Sequence, residues 1–407
     1  MRFLGPYKYP AACFLGGLLL AQPRAADYLE PAGSLGAPRT EAVLETDPHR
    51  EWLRWWIFDV SPRLAAQTIY DDNITIRSDT KEGDAIFTAS PGLTAVAGDQ
   101  LSERPRLLTL SYSPTFIKFL ENSQYDSIDH SGSIRGIWPF SKLTLGFSQT
   151  YDQSSGGVVD IGNRVDRKSY NTGLTSSYEL SEKTSFEINA RQAIQDYPEP
   201  YIGTKEWSND DWINYLVAAK VVLGIGFTFG YIDVDRNPGQ QYERLLVRAV
   251  YKLTYKVDVT ASVGGELRQY EDGPSRAGAI FSLGASYWPR DGTTINLEAH
   301  RDNRNSALFA GQNYISTGFS LSVRQRFMDR FFVAVGGSYE NAAYESAING
   351  VAATRSEDYY LANASADIAI TARWLAGLFF RHRENISSIG GLSFNNNQIG
   401  IQTSYQF

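Results

Sequence analysis

Apolar residues recur at every second position over most of the chain, from Ser61 to Phe407. In the segment 245–255, for example, Leu, Val, Ala and Tyr alternate with Arg244, Arg248 and Lys252. A period of two residues is typical of a β-strand with one face on an apolar medium. The intervening positions hold mainly Gly, Ser, Thr, Asn and Gln, whereas the outer face of a soluble sandwich is rich in Lys and Glu. The pattern therefore favours a membrane barrel whose second face meets an internal aqueous space.

Aromatic residues cluster near the ends of the predicted strands, as expected for a lipid-facing band with a girdle at each membrane interface. We place in this band Trp138, Phe140, Tyr178, Trp212, Tyr287, Phe327, Phe331, Trp374 and Phe407, among others.

The lengths of the predicted connections support the same architecture. Tight links such as 181–183 and 328–330 alternate with longer polar segments. The longer segments lie near 152–167, 195–208, 233–242, 270–275, 302–312, 341–357 and 384–396. Bacterial outer-membrane barrels have short periplasmic turns and longer outer loops. The first predicted strands are 61–76, 84–98 and 104–119, and the series continues to the C-terminus. We therefore predict an all-β, transmembrane, antiparallel up-and-down β-barrel of about 18 strands.

The N-terminal region differs from the rest of the chain. Residues 1–26 combine Arg2 and Lys8 with a short apolar run, which is typical of a secretory signal peptide. We expect residues 27–60 to form an N-terminal periplasmic or plug-like segment and residues 61–407 to form the barrel. Cys13, the single cysteine, lies within the predicted signal peptide, so a mature chain without thiols is expected.

Composition excludes several other classes of protein. Asp and Glu number 45 against 38 Lys and Arg, and this balance argues against a nucleic-acid-binding protein. The segment after the predicted signal peptide has no apolar run long enough for a transmembrane helix.

Few residues indicate catalytic or metal chemistry. Asp71-Asp72-Asn73 is compatible with a cation site, or with a polar strand end whose side chains bond to nearby backbone. The four histidines (His49, His130, His300 and His382) lack the spacing of a metal motif. We expect no metal, no cofactor and no enzymatic activity.

Charged residues on the predicted inward face are candidates for lining a pore. They are Arg135, Arg191, Arg244, Arg248, Lys252, Asp258, Glu266, Arg268, Glu298, His300, Arg324, Glu340, Asp367, Arg381 and Arg383. Two interpretations remain open: a transverse field that selects solutes, or pairing of charges around a wet lumen.

Two sequence stretches resemble known barrels. The alternating C-terminal strand that ends in Tyr405 and Phe407 is similar to the signal read by the bacterial barrel-insertion machinery. Residues 60–115 resemble the Putative beta-barrel porin 2 family, through Ser61-Pro62 and then Tyr70, Asp71, Asp72 and Asn73. This resemblance implies a porin-like barrel in the outer membrane, and some related barrels are associated with exopolysaccharide export.

We therefore expect an outer-membrane channel of a Gram-negative bacterium that passes small hydrophilic solutes. The alternatives are an exopolysaccharide export barrel in an envelope-spanning machine, and a non-conducting structural or adhesion barrel. The expected partners are outer-membrane lipid, the insertion machinery and the solute or polysaccharide, without nucleic acid. The sequence leaves the oligomeric state open.

Overall fold

The computed structural model describes residues 53–98, 102, 104–254, 256–348 and 354–407. These residues form nineteen β-strands and one 3-10 helix, Ser123–Tyr125. The strands are β1 Leu53–Trp55, β2 Phe58–Asp71, β3 Asp84–Gly98, β4 Leu107–Phe119, β5 Ser127–Pro139, β6 Leu143–Val158, β7 Asn163–Glu179, β8 Thr184–Asp196, β9 Thr204–Ala218, β10 Val221–Val234, β11 Asn237–Thr254, β12 Val257–Tyr270, β13 Arg276–Tyr287, β14 Thr293–Asn305, β15 Gln312–Phe327, β16 Phe331–Ser346, β17 Ser356–Ala369, β18 Trp374–Ser387 and β19 Phe394–Gln406. The predicted signal peptide and most of the predicted segment 27–60 lie outside the described residues.

Strands β2 to β19 close into a barrel of 18 antiparallel strands. Each strand pairs with its neighbours in the chain, and the last strand pairs with the first, from Gln398 opposite Asp71 to Gln406 opposite Arg63. Closure removes the exposed edges that an open sheet would carry. The short strand β1 adds a small hairpin to the start of β2, at the end of the barrel with the short turns. The predicted fold class and strand number are confirmed.

Several predicted strand ends were wrong. Strand β2 begins at Phe58 and ends at Asp71, so residues 72–76 do not continue it. Much of the predicted loop 152–167 belongs to β6 and β7, and the predicted loop 233–242 is nearly all strand. Where a strand pair extends past the lipid-facing belt, its outer face no longer meets lipid, so apolar alternation is not required there. The apolar period therefore stops before the strands do.

The outer face of the barrel carries exposed apolar side chains, including Ile225, Leu245 and Ile399, each about 60% exposed. Near the long-loop end, aromatic rings on adjacent strands contact one another. Tyr151 lies 4.9 Å from Tyr170, measured between ring centroids. We call the following set the aromatic girdle: Tyr151, Tyr170, Trp207, Tyr231, Phe319, Tyr339 and Tyr360. Such a belt with an aromatic border is the outer surface of a barrel that contacts lipid. In the described residues no helix has the length and apolar character needed to span a bilayer.

Trp212 was wrongly assigned to the lipid-facing band. Its side chain is 6% exposed and faces inward on β9, where it covers Gly226 of β10. A Cβ atom at Gly226 would lie 2.5 Å from the indole ring. Glycine at this position therefore makes room for a large inward side chain from the neighbouring strand.

We predict that Gly226→Ala destabilises the barrel, because its methyl group overlaps the Trp212 ring; overpacking of this kind costs about 1–3 kcal/mol. The measurement is the temperature at which the barrel loses its compact mobility in gel electrophoresis. Gly284→Ala is the matched control: Gly284 also faces inward, and a Cβ atom there would meet nothing within 4 Å. Equal unfolding temperatures for the two variants would contradict the prediction.

Candidate functional site

The candidate site is the lumen and its mouth at the long-loop end. The tip of the β6–β7 hairpin, residues 156–162, is buried throughout. A hairpin tip that projected into solvent would be exposed. In the ring of 18 strands, β7 and β16 lie nine strands apart in either direction and therefore face each other across the barrel. Contacts between this hairpin and β16 therefore cross the full width of the lumen.

Asp160 makes these contacts at the hairpin tip. Its Oδ1 atom accepts a hydrogen bond from Nη1 of Arg355 at 3.0 Å, and its Oδ2 atom accepts one from the backbone N–H of Ala307 at 2.6 Å. The Tyr344 hydroxyl of β16 also donates to Oδ1, and Ser306 donates to the same carboxylate. We call Asp160, Ser306, Tyr344 and Arg355 the mouth cluster. The four side chains attach the tip to the far wall.

Arg355 is the central cation of the mouth cluster and is 2% exposed. Its Nη2 atom lies 2.6 Å from Oε1 of Glu357, and its guanidinium stacks 4.2 Å from the Tyr344 ring centroid. Burial alone would lower the pKa of Arg355, but its electrostatic interactions with Tyr344 and with the carboxylates of Asp160 and Glu357 outweigh burial and raise it. Arg355 therefore stays charged, and its two carboxylate partners satisfy that charge in a buried place.

A second segment enters the mouth from the β2–β3 connection. Ile74 and Ile76 are buried in it, and Ile76 packs with Val159 of the hairpin tip, Tyr359 and Phe394. This packing joins two inward-folded segments to the wall. Together they occupy the long-loop mouth.

The Tyr70–Asn73 stretch shapes the turn of this connection. Asp71 Oδ1 accepts a hydrogen bond from the Asn73 N–H at 2.9 Å, and Asp71 Oδ2 accepts one from Gln398 at 2.7 Å. The Asn73 amide donates to the carbonyls of Arg77 and Asn395. Tyr70 lies outward on the barrel. These bonds fit the interpretation of a polar strand end. Among the residues of the described ranges, no group of three or more acidic, His or Cys side chains is suited to hold a metal ion.

Below the mouth, inward charges pair with one another within a strand, between adjacent strands and across two intervening strands. Arg248 Nη2 lies 2.6 Å from Glu187 Oε2, and the Arg248 guanidinium stacks on Trp212 at 4.3 Å. Glu266 lies between Arg244 and Arg268, at 2.7 and 2.8 Å. Such charges are tolerated away from water because each has an opposite charge and further hydrogen bonds.

A third paired cluster centres on Arg304. Its Nε atom lies 3.2 Å from Asp302, and its Nη1 atom lies 3.4 Å from Glu340. Nε2 of His300 and the hydroxyl of Ser316 are 3.0 Å apart. The cluster narrows the lumen beside strands β14 to β16.

The fifteen candidate pore-lining residues all lie on the strand face opposite to the exposed apolar side chains. Their role in a pore stays a prediction. Six of them are buried in wall clusters, and the others are partly or fully accessible. The buried ones are Arg248, Glu266, Arg268, His300, Glu340 and Arg383. The structure brings Arg244, Glu266 and Arg268 into one cluster, and His300 and Glu340 into another.

Of the other histidines, His130 and His382 face outward, where they contact Tyr112 and Asn397. His49 lies outside the described residues. Tyr405 and Phe407, the predicted insertion signal, contact each other with ring centroids 4.9 Å apart.

The short-turn half of the lumen is more open. Its inward positions carry small polar side chains that remain accessible, including Ser262, Ser282, Ser320 and Asn363. Ser262 and Ser282 share a hydrogen bond of 2.8 Å. The lumen is thus a polar vestibule on the short-turn side and narrows toward an occupied mouth.

Sequence reasoning missed Asp160, Arg304, Tyr344 and Arg355. Asp160 and Arg355 fell in segments that the pattern presented as loops, and 195 positions separate them in the chain. No local pattern in one sequence marks such a contact. Arg304 was detectable, because it follows His300 and Asp302 at inward positions of β14.

Comparison with known proteins gives one family match. The Putative beta-barrel porin 2 family matches residues 260–407. The predicted resemblance to this family is confirmed. The matched residues are those of the C-terminal strands, and the resemblance over residues 60–115 stays a prediction. Residues 260–407 thus resemble a porin family, and the closed sheet with its lipid-facing belt has the architecture of outer-membrane barrels. The curated proteins include no match.

Solved structures of similar shape include three bacterial proteins, of which opdK is described as an outer membrane protein. Pseudomonas aeruginosa OccK9 (OpdG) is 11% identical with a TM-score of 0.45, and the alignment covers 86% of this chain and 99% of that one. P. aeruginosa opdK is 9% identical with a TM-score of 0.44, covering 86% and 99%. Acinetobacter baumannii OccAB4 is 10% identical with a TM-score of 0.43, covering 86% and 98%.

We predict that Asp160→Ala frees the hairpin tip for proteolysis. Removing one partner of a buried ion pair costs about 3–5 kcal/mol. In detergent micelles, thermolysin, which cleaves before aliphatic residues, should cut at Val159 or Ile161 of the tip in the variant, while the wild-type hairpin resists.

Asp152→Ala is the matched control, because Asp152 lies on the same hairpin but bonds to Ser131 of the adjacent strand β5. Cleavage rates that do not differ among wild type and the two variants would show that Asp160 does not hold the tip.

Proposed function

We propose that this barrel is a non-enzymatic channel for passive or facilitated passage of small hydrophilic solutes across the outer membrane of a Gram-negative bacterium. The observation that carries the proposal is the accessible inner face of the short-turn half, with Ser262, Ser282, Ser320 and Asn363. Small hydroxyl and amide side chains leave space and offer hydrogen bonds to water and to solutes. A closed barrel of this strand number encloses an interior wide enough for an aqueous route.

We propose that the occupied mouth limits flow through this route. The hairpin tip and the β2–β3 connection cover the axis, and the mouth cluster fixes the tip. The paired charges around Glu266 and Arg304 act as the polar lining of the narrow part. The proposed partners are outer-membrane lipid, the barrel-insertion machinery that reads the C-terminal strand, and the solute.

Polysaccharide export and a purely structural role are not favoured. Export of a polymer needs a continuous axial route, whereas the mouth is filled by buried side chains. A non-conducting barrel has no need of the accessible vestibule.

The test is single-channel recording of the purified full-length protein in planar bilayers, together with swelling of liposomes in sugar solutions. We expect discrete channel openings and solute-dependent swelling. Absence of both, with correctly folded protein in the bilayer, would contradict the proposal.

We further predict that Asp160→Ala raises the single-channel conductance about twofold, because releasing the tip widens the narrowest part of the route. Asp152→Ala should conduct like wild type. If Asp160→Ala leaves the conductance unchanged although thermolysin shows the tip to be free, the mouth does not limit flow.

A further inference from the structure

One sector of the lipid-facing belt is polar. It lies on strands β6 to β9, where five outward side chains carry amide, hydroxyl or carboxylate groups. Each shares the outward direction of a girdle residue on its own strand or on the neighbouring strand, because side-chain direction in a strand has a period of two. We call them the polar patch: Gln149, Thr172, Gln192, Asn209 and Asp211.

Asp211 lies midway across the lipid-facing belt. On the outward face of β9 it is four residues from Trp207 of the aromatic girdle and four residues from the exposed Tyr215 near the short turns. Its ladder partners are Ile188 on β8 and Phe227 on β10, which are both outward and exposed. On an isolated barrel, this carboxylate would therefore meet hydrocarbon, where a charge is costly.

Strand β10, directly beside the patch, has the apolar surface expected of the belt. Phe227 is opposite Asp211, and Phe229 is opposite Asn209. Both phenylalanines are exposed. The polar side chains are thus a local feature of one sector and not a property of the whole belt.

The patch satisfies only part of its hydrogen-bonding capacity internally. The Thr172 hydroxyl donates to Oε1 of Gln149 at 2.6 Å and lies 3.5 Å from Oε1 of Gln192. The Gln149 amide donates one bond, of 3.3 Å, to a backbone carbonyl of its own strand. Among the described residues, no hydrogen bond or ion pair reaches the side chain of Asn209 or the carboxylate of Asp211. A buried or lipid-facing polar group normally has such a partner.

Asp211 and Gln149 lie at the same depth, on the two borders of the patch. Rows of ladder partners climb around the tilted sheet, and the row of Tyr215 reaches Tyr339 of the girdle seven strands further on. A row therefore rises by roughly one residue per strand. Three strands back from β9, the row of Asp211 reaches Leu145 on β6. Gln149 is four residues nearer the long loops than Leu145, which returns it to about the depth of Asp211.

The angle between the two borders fits a closed ring of three barrels. Three of the 18 strands separate the Asp211 face from the Gln149 face, which is one sixth of the circumference or about 60°. The centres of three identical barrels in mutual contact form a triangle whose corners also measure about 60°. Each barrel in such a ring turns one border of the patch to each neighbour, and a contact between unlike faces that closes on itself gives a cyclic oligomer.

We propose that three copies of this chain associate side by side in the membrane, with the β9 face of each copy against the β6 face of the next. The Gln149 amide of one copy donates to the Asp211 carboxylate of its neighbour. Thr172, Gln192 and Asn209 lie toward the threefold axis, where they bond to one another away from lipid. The patch contains both the acceptor-only carboxylate and the amide donors that match it, and this self-complementarity identifies the partner as another copy of the chain.

The first test counts the copies directly. The purified full-length protein is released from lipid nanodiscs and from a mild detergent, and its mass is measured by native mass spectrometry. We expect three copies in both media. Single copies or pairs in both media would overturn the proposal.

The second test locates the contact by cross-linking in proteoliposomes. Phe147→Cys and Ile213→Cys are combined in a Cys13→Ser background, which otherwise has no thiol. These outward positions lie two residues nearer the short turns than Gln149 and Asp211, so the polar patch stays intact. With a short bismaleimide we expect linked pairs and linked trimers on a denaturing gel, because each chain turns one thiol to each neighbour.

Val247→Cys with Leu297→Cys is the matched control. These residues are also outward and three strands apart, on β11 and β14 of the apolar sector. We expect this pair to remain unlinked. Equal linking of the two pairs, or linking of neither, would show that the polar patch is not the contact.

A substitution at Asp211 separates the assembly from a barrel that stands alone in lipid. Asp211→Leu should increase dissociation of the trimer about tenfold, since it removes a charge-assisted hydrogen bond between copies. Asp211→Asn, whose side-chain oxygen still accepts a bond, should remain trimeric. On a lone barrel Asp211→Leu would instead raise the unfolding temperature, because it removes a charge from hydrocarbon. A raised unfolding temperature with an unchanged number of copies would contradict the proposal.

Discussion

Every part of this protein that contacts hydrocarbon must satisfy its backbone hydrogen bonds internally, because the bilayer core offers no water. The pairing of β19 with β2 meets this requirement by joining the ends of the sheet. Closure also explains the outward apolar side chains and the aromatic girdle. In a closed sheet with one face in lipid, apolar outward residues must alternate with inward residues along every strand. Glycines such as Gly226 then give inward side chains the space that curvature removes.

The same requirement explains where charges are found. Near the mouth, where loops and side chains exclude water, Glu266 and Arg355 each face an opposite charge. Arg248, which is opposite Ser262 in the short-turn half, is paired with Glu187. In the vestibule, small hydroxyl and amide groups remain accessible to water. The lumen therefore changes along its axis from a hydrated space to one held by desolvated ion pairs, and this change places the narrow region toward the long loops.

The sequence predicted what depends on local period. Alternation along 245–255, repeated in other segments, predicts the barrel and its strand number, because side-chain direction in a strand has a period of two. Prediction from the sequence failed where the two-residue alternation of apolar positions carries no information. Strands β6 and β7 continue past the lipid-facing belt toward a buried tip, where no lipid requires alternation. Trp212 has the appearance of a lipid-facing aromatic in the sequence, although its position on β9 places it inward. The contact between Asp160 and Arg355 depends on the closure of the whole ring, and no neighbouring residues signal it.

The bond between Asp160 and Arg355 also has a consequence for biogenesis. It joins segments nine strands apart in the ring, so it forms only once both halves of the cylinder are in place. Until then the tip has no far wall to hold it. Attachment of the hairpin is thus a late event in assembly, and a barrel arrested halfway through insertion would have an uncovered interior.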